Sequence, residues 1–267
     1  MEAADIAKMM QKLSMKDPMT LPGNADQYAV SQVSLNPDSP LKGKEIFFLG
    51  SSITYGAAAN GESFVDYLVA EDGIIAQKEA ISGTTLADKT VDLHLPGINL
   101  DQLGLLKDKF TGGHPEEYGK SYLARLNNFD SQARPDLFVV QLSTNDGRNG
   151  IPLGKISSSK DPAKFDQQTT LGAIEYLCAK IPEQWHCPLA FYTCLRDGEE
   201  YQVLIQKLKE LQIKWAFQII DLGSDPQIKA ATHQHPSYMA DDAHPTRQGY
   251  RDLWTPYFRE ALIDIFS

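Results

Sequence analysis

Two serines, Ser51 and Ser52, follow directly on the apolar run EIFFLG, which begins at Glu45. Serine is a preferred residue at the start of a helix, so the pair can be read as a simple helix cap. The other reading is that one hydroxyl is a nucleophile held at the end of a strand, which requires a base within hydrogen-bond reach. The choice between the two readings depends on what other segments of the chain supply.

A base with an orienting carboxylate is available near the C-terminus, where Asp241 and His244 precede Pro245 and a helix-like stretch. A neutral imidazole can take the proton of a hydroxyl, and the carboxylate fixes its tautomer and stabilises the imidazolium that forms. The remaining histidines are interpreted as structural or exposed: His94, His114, His186, His233 and His235.

Two further segments could stabilise the negative charge that such a nucleophile creates. Gly83 lies in ISGTTLAD, and glycine lets a backbone N–H approach a ligand closely. Asn145 lies in STNDG, and its side chain can donate a hydrogen bond to a developing oxyanion. Each segment taken alone is also compatible with an ordinary turn.

The four segments follow predicted strands or lie beyond the last one. Apolar runs predict five strands, at residues 45–49, 74–80, 137–142, 189–195 and 217–222. Helix-like stretches alternate with them, at residues 63–70, 121–129, 166–181, 198–215 and 248–265. Runs such as LFVVQL are apolar almost throughout, which is typical of strands covered by helices on both faces.

This alternation predicts an α/β fold, a three-layer α/β/α sandwich around a central, mostly parallel five-stranded sheet. We expect an N-terminal lead-in over residues 1–43, with a short amphipathic helix at 3–14, and a single domain over residues 44–267. In open sheets of this kind, ligands bind beyond the carboxyl ends of the strands. The hydroxyl, the two oxyanion donors and the base are therefore expected to converge there.

With these four segments in place, the sequence resembles the SGNH hydrolases, also called GDSL esterases and lipases. The segments occur in the order of the family's blocks and span residues 46–250. The resemblance implies a flavodoxin-like SGNH fold and a catalytic triad of Ser52, His244 and Asp241. It also implies an oxyanion hole made by the backbone N–H groups of Ser52 and Gly83 and by the side chain of Asn145.

The sequence departs from the family's pattern at two positions. Ser51 stands where the first block usually has Asp, which removes a charge beside the nucleophile and raises the question of which serine attacks. The resemblance assigns the attack to Ser52. Ser143 stands where the third block usually has Gly, and its added side chain is expected to narrow the acyl pocket.

The resulting hypothesis is a serine esterase that hydrolyses short-chain acyl or acetyl esters of sugars or other small alcohols through an acyl-enzyme. Neither a metal nor a cofactor is expected. Three alternatives stay open at this point. They are an acyltransferase of the same family, a metal-dependent phosphoesterase built on HQHPSYMADDAH, and a non-catalytic α/β domain that binds a small ligand.

Composition restricts the partners. The chain carries 25 basic and 35 acidic residues, a net charge of −10, and has no long basic run, so neither nucleic acid nor an anionic membrane is expected. No window approaches 18 consecutive apolar residues, and the N-terminus has acids where a secretion signal needs Lys or Arg, so a cytoplasmic location is expected. The oligomeric state cannot be read from the sequence.

Two long connections and the cysteines complete the expectations. The connections at residues 89–120 and 147–165 are either lids or substrate walls, or plain insertions. The cysteines number three and none lies in a CxxC pair, which favours reduced, packed thiols.

Overall fold

The computed structural model describes residues 18–88, 115–117 and 119–267. Its strands are β1 (Glu45–Gly50), β2 (Ile75–Ala80), β3 (Leu137–Gln141), β4 (Leu189–Thr193) and β5 (Gln218–Asp221). They form one five-stranded sheet in the order β2-β1-β3-β4-β5, and every pairing in it is parallel. The predicted α/β class and the five strands are therefore confirmed, with the sheet wholly parallel across the described residues.

Helices connect the strands. They are α1 (Ser52–Tyr55), α2 (Phe64–Asp72), α3 (Tyr122–Arg125), α4 (Thr170–Trp185), α5 (Glu199–Trp215), α6 (Pro226–Gln234), α7 (Arg247–Gly249) and α8 (Thr255–Phe266). A π-helical turn, Tyr250–Trp254, joins α7 to α8 without a break. Short 3-10 turns occur at Pro18–Thr20, Pro22–Asn24, Asp26–Tyr28, Val30–Gln32, Pro115–Glu117, Leu126–Asn128, Gly147–Asn149, Pro162–Lys164, Leu222–Ser224 and Pro236–Tyr238.

Two of these helices were absent from the sequence prediction. The four-residue α1 begins directly after β1, and its length is too short for a helical period to be visible. Helix α6 has a single buried residue, Ile228, so it lacks an apolar stripe. Its start was nevertheless readable, because Asp225 accepts hydrogen bonds from two N–H groups of the first turn and Pro226 occupies the first position.

The sheet is covered on both faces, as its apolar strands predict. Phe47 and Phe48 are neighbours on β1 and therefore point to opposite faces. The ring of Phe47 stacks on Phe129, with centroids 5.1 Å apart. The ring of Phe48 packs edge-on against Phe64, which in turn stacks on Phe258 of α8 at 3.8 Å. Two aromatic clusters thus fix the helical layers above and below β1.

Parts of the predicted connections can be placed. The segment after β3 packs against α4 and α5, because Lys214 donates to the Ser157 carbonyl at 2.8 Å and Glu175 accepts from the Ser157 N–H at 2.7 Å. The predicted helix at residues 3–14 and the connection between residues 89 and 114 lie outside the described residues. Cys178, Cys187 and Cys194 are buried free thiols.

No helix in the described ranges has the length and the apolar character needed to cross a bilayer.

Candidate active site

The turn after β1 presents the two serines differently. Ser52 is the first residue of α1, and Gly56, with φ of 88°, ends that helix in the left-handed region. Ser51 is 0% exposed, whereas Ser52 is 7% exposed. The fold therefore encloses the Ser51 hydroxyl and leaves the Ser52 hydroxyl open to a partner.

That partner is His244. The Ser52 Oγ lies 2.8 Å from the Nε2 of His244, and the Nδ1 of His244 lies 2.9 Å from one carboxylate oxygen of Asp241. When Nδ1 carries the ring proton and donates to the carboxylate, Nε2 is left as an acceptor for the serine hydroxyl. The arrangement is that of a hydroxyl, a general base and a group that orients the base.

Asp241 is held as an anion. Burial opposes its ionisation, but the hydrogen bond and charge of His244, together with the N–H groups of Ala243 and His244, lower the pKa of Asp241 to about 2. Both N–H groups donate to its Oδ1 at 2.8 Å. The carboxylate is thus fixed on the backbone of the segment that carries the histidine, and it keeps its charge at neutral pH.

The groups predicted to bind an oxyanion lie at the same edge of the sheet. Gly83 has φ of 80°, which favours glycine, and an added Cβ would meet nothing within 4 Å. Within the described part of the chain, the N–H groups of Ser52 and Gly83 have no protein acceptor. The Nδ2 of Asn145 donates to the Thr84 carbonyl at 2.9 Å and to the Ser51 Oγ at 3.3 Å.

Gln141 supports the turn that carries Ser51 and Ser52, which we call the serine turn. The sequence analysis did not identify this glutamine. Its Oε1 accepts from the Ser51 N–H at 2.9 Å, from the Thr54 N–H at 3.3 Å and from the Thr54 hydroxyl at 2.8 Å. Gln141, on the neighbouring strand β3, thereby caps α1. It makes no hydrogen bond to the Ser52 N–H. The sequence did contain a signal for it, because Gln141 is a single amide at the end of the apolar run that forms the buried strand β3.

Arg125 is a second residue that the sequence analysis missed. Its guanidinium is 0% exposed and donates to the Gly50 carbonyl at 2.8 Å, the Thr84 hydroxyl at 2.9 Å and the Glu79 carbonyl at 3.0 Å. Burial lowers the pKa of Arg125 to about 10, so it is still a cation at neutral pH. It joins the ends of β1 and β2 to the Gly83 loop.

Asp146 connects the same loop to the next strand. Its carboxylate accepts from the Leu86 N–H at 3.0 Å, the Ala87 N–H at 3.2 Å and the Thr170 hydroxyl at 3.4 Å. Burial raises the pKa of Asp146. Asp146 therefore links the Asn145 and Gly83 loops.

The model of the GDSL-like Lipase/Acylhydrolase family matches residues 48–251, which contain every residue of the site described above. The chain belongs to this family. Its members are acylhydrolases, and the family assignment suggested by the sequence blocks is confirmed. A search of curated proteins gives no match.

Solved structures of this family and of other proteins share the fold. A GDSL-like lipase candidate from Bacteroides ovatus is 14% identical, with a TM-score of 0.57, and the match covers 84% of this chain and 99% of that one. A protein from Lactobacillus plantarum is 17% identical, with a TM-score of 0.58 over 84% of this chain and 98% of that one. A family two carbohydrate esterase from Clostridium thermocellum, in complex with cellohexaose, is 16% identical, with a TM-score of 0.52 over 87% of this chain and 67% of that one.

The two departures from the family's blocks have structural roles. Ser51, in place of the usual Asp, is enclosed and accepts a hydrogen bond from Asn145. Ser143, in place of the usual Gly, accepts from the Asn145 N–H at 3.0 Å and donates to the Thr84 carbonyl at 3.4 Å. Both hydroxyls therefore contact Asn145, and the Ser143 hydroxyl also joins it to Thr84 in the Gly83 loop.

The proposed metal-ligand segment does not assemble a cluster. Across the described ranges, no three His, Cys, Asp or Glu side chains come together as a metal site. His235 instead stacks on Tyr238, with ring centroids 4.9 Å apart. The described geometry gives the phosphoesterase alternative no ligand set.

The first prediction concerns Gln141. Gln141→Leu removes the acceptor of two buried N–H groups, and leaving each unsatisfied costs about 1–3 kcal/mol. We expect a lower free energy of unfolding in urea and slower ester hydrolysis at temperatures where the variant is folded. Gln132→Leu is the matched control, because Gln132 is exposed. Unchanged stability of Gln141→Leu would show that the turn does not depend on this amide.

The second prediction concerns pH. Because the pKa of Asp241 falls from 3.8 to about 2 on folding, the unfolded chain binds its proton more readily. Asp241 therefore stabilises the fold above about pH 4, and this stabilisation is lost as the pH falls towards 2. Urea unfolding at pH 5 and pH 3 should show a smaller loss of stability for Asp241→Asn than for the wild type. Asp242→Asn, at a neighbouring exposed carboxylate, controls for the removal of a charge. Equal losses of stability between pH 5 and pH 3 for Asp241→Asn and the wild type would contradict the lowered pKa of Asp241.

Proposed function

We propose that the protein is a serine esterase that hydrolyses short-chain acyl or acetyl esters of small alcohols, sugars among them. The observation that carries the proposal is the line of Ser52, His244 and Asp241, with 2.8 Å from Oγ to Nε2 and 2.9 Å from Nδ1 to the carboxylate. This arrangement is what an uncharged hydroxyl needs to become a nucleophile at neutral pH.

In the first step, the Ser52 Oγ bonds to the carbonyl carbon of the ester while the Nε2 of His244 takes the hydroxyl proton. The carbonyl π bond breaks, and its electron pair moves to the oxygen. The N–H groups of Ser52 and Gly83 are the donors available to this oxyanion. The Nδ2 of Asn145 becomes a third donor by exchanging its long 3.3 Å bond to Ser51 for the stronger charged acceptor.

In the second step, the carbon–oxygen bond to the alcohol breaks, and His244 returns the proton to the leaving alkoxide. An acyl-enzyme on Ser52 remains. A water then attacks the acyl carbon as His244 takes its proton, and collapse of the second tetrahedral intermediate releases the acid and regenerates the serine hydroxyl. Asp241 stays ionised throughout and stabilises the imidazolium.

The preference for a short acyl group rests on Ser143, whose side chain lies beside Asn145, one of the proposed oxyanion donors. Ser143 adds a hydroxymethyl group between Asn145 and Thr84, and its contacts to both residues keep it there. A sugar as the alcohol half draws support from the fold shared with the Clostridium thermocellum carbohydrate esterase, whose structure contains cellohexaose.

The third prediction separates the two serines. Ser52→Ala should lower kcat/KM for p-nitrophenyl acetate by about 10⁴–10⁶-fold, because it removes the nucleophile. Ser51→Ala should cost at most about tenfold, the equivalent of one hydrogen bond to Asn145. Initial rates of the two purified variants check this. Substantial activity in Ser52→Ala, or its loss in Ser51→Ala alone, would refute the assignment of Ser52.

A further inference from the structure

The N-terminal lead-in contacts both halves of the candidate active site. We call residues 18–33 the N-terminal strap; it consists of short 3-10 turns and lies outside the residues that the family model matches. It contacts the region after the serine turn, from Ala58 to Tyr67, and the base segment around His244. These two regions bring together side chains that are 192 positions apart in the sequence.

Asn24 is the centre of the strap. Its side chain is buried, with 4% exposure. The Nδ2 donates to the Ala58 carbonyl at 2.7 Å and to the Pro18 carbonyl at 2.7 Å, while the Oδ1 accepts from the Arg247 N–H at 2.8 Å. One amide therefore bridges the segment that follows the serine turn and the first turn of α7, which begins three residues after His244.

A second bridge runs parallel to the first. Glu62 accepts from the Val30 N–H at 2.8 Å with one carboxylate oxygen and from the Arg247 guanidinium at 2.7 Å with the other. The same guanidinium donates to the Asn24 carbonyl at 3.2 Å. The strap, the segment after the serine turn and the base segment are thus connected through paired and mostly enclosed groups, which hold geometry better than exposed ion pairs.

The strap also fits the base segment sterically. A Cβ added at Gly23 would lie 2.1 Å from the Ser237 carbonyl oxygen and 2.4 Å from the Thr246 hydroxyl. The Thr246 hydroxyl donates to the same Ser237 oxygen at 2.6 Å and accepts from Gly249, so it caps α7. The backbone of the strap therefore rests directly on the residues that close the loop around His244.

We propose that the N-terminal strap is part of the catalytic apparatus and that Asn24 is a positioning residue, which holds His244 at hydrogen-bond distance from Ser52. The proposal rests on the function proposed above. Proton transfer between the two side chains needs a short, aligned contact, and displacement by about 1 Å can cost 10²-fold in rate. Within the described residues, the Tyr250 hydroxyl provides another link, through its 2.7 Å bond to the Ile53 carbonyl.

The fourth prediction tests this role. Asn24→Ala should lower kcat for an aryl acetate by about 10- to 100-fold with little change in KM, because it acts on proton transfer rather than on ester binding. Asn36→Ala is the control, since Asn36 lies in the same lead-in but its exposed side chain accepts, among the described residues, only from the Asp38 N–H. Rates are measured well below the melting temperature of each variant. Wild-type kcat in Asn24→Ala would overturn the proposal.

A double-mutant cycle separates positioning from general loosening of the fold. When His244→Ala has already removed the base, adding Asn24→Ala should cause no further loss of kcat/KM. A purely structural role would lower the rate by the same factor in both backgrounds and would overturn the proposal. If Asn24→Ala does not fold, Asn24→Asp replaces it in the cycle. This variant keeps the size and the acceptor for Arg247 but loses both donors.

Ser52→Ala, measured alongside, separates the positioning role of Asn24 from the proposed function. If Ser52→Ala is inactive while Asn24→Ala keeps wild-type kcat, the strap's role is refuted and the proposed function stands. If Ser52→Ala is active, both the proposed function and the positioning role of Asn24 are refuted.

Discussion

The 2.8 Å contact between the Ser52 hydroxyl and the His244 imidazole is the interaction on which the rest of the site depends. Its two residues come from opposite ends of the chain, so no local structure can set the distance between them. A parallel sheet meets part of this requirement, because the carboxyl ends of its strands gather at one edge. The remaining precision comes from polar groups buried beneath and beside the strand ends.

Those buried groups follow one physical rule. The ends of parallel strands leave backbone N–H and C=O groups without sheet partners, and such groups are costly when buried unpaired. Gln141 accepts from the N–H groups of Ser51 and Thr54. Arg125 donates to the carbonyls at the ends of β1 and β2, and Asp146 accepts from the N–H groups of the loop after Gly83. Satisfying the backbone and fixing the reacting atoms are therefore the same task in this fold.

The sequence allowed the fold to be predicted well, since every predicted strand is present and differs at its ends by only one or two residues. The apolar runs carry that signal because each strand is buried on both faces. The site was less accessible to prediction. Ser52, Asp241 and His244 stand out by residue type, whereas Gln141 and Arg125 look like interruptions of apolar segments, and their role depends on which backbone groups the fold leaves unpaired.

The strap shows a second limit of sequence reasoning. The strap lies in the segment 14–43, which is rich in Pro, Asn, Asp and Ser, and that composition predicted an extended lead-in. Asparagine is common in turns, so Asn24 does not stand out in the sequence. Its bridge between Ala58 and Arg247 exists only after distant parts of the chain have come together. Long-range polar contacts of this kind leave no local pattern.

The proposed activation of Ser52 by His244 can be tested by intact-mass spectrometry after incubation with a fluorophosphonate, followed by peptide mapping. We expect one adduct per chain, located on Ser52, and no adduct when folded His244→Ala is treated in the same way. No adduct on the folded wild-type protein, or an adduct on Ser51, would refute this activation.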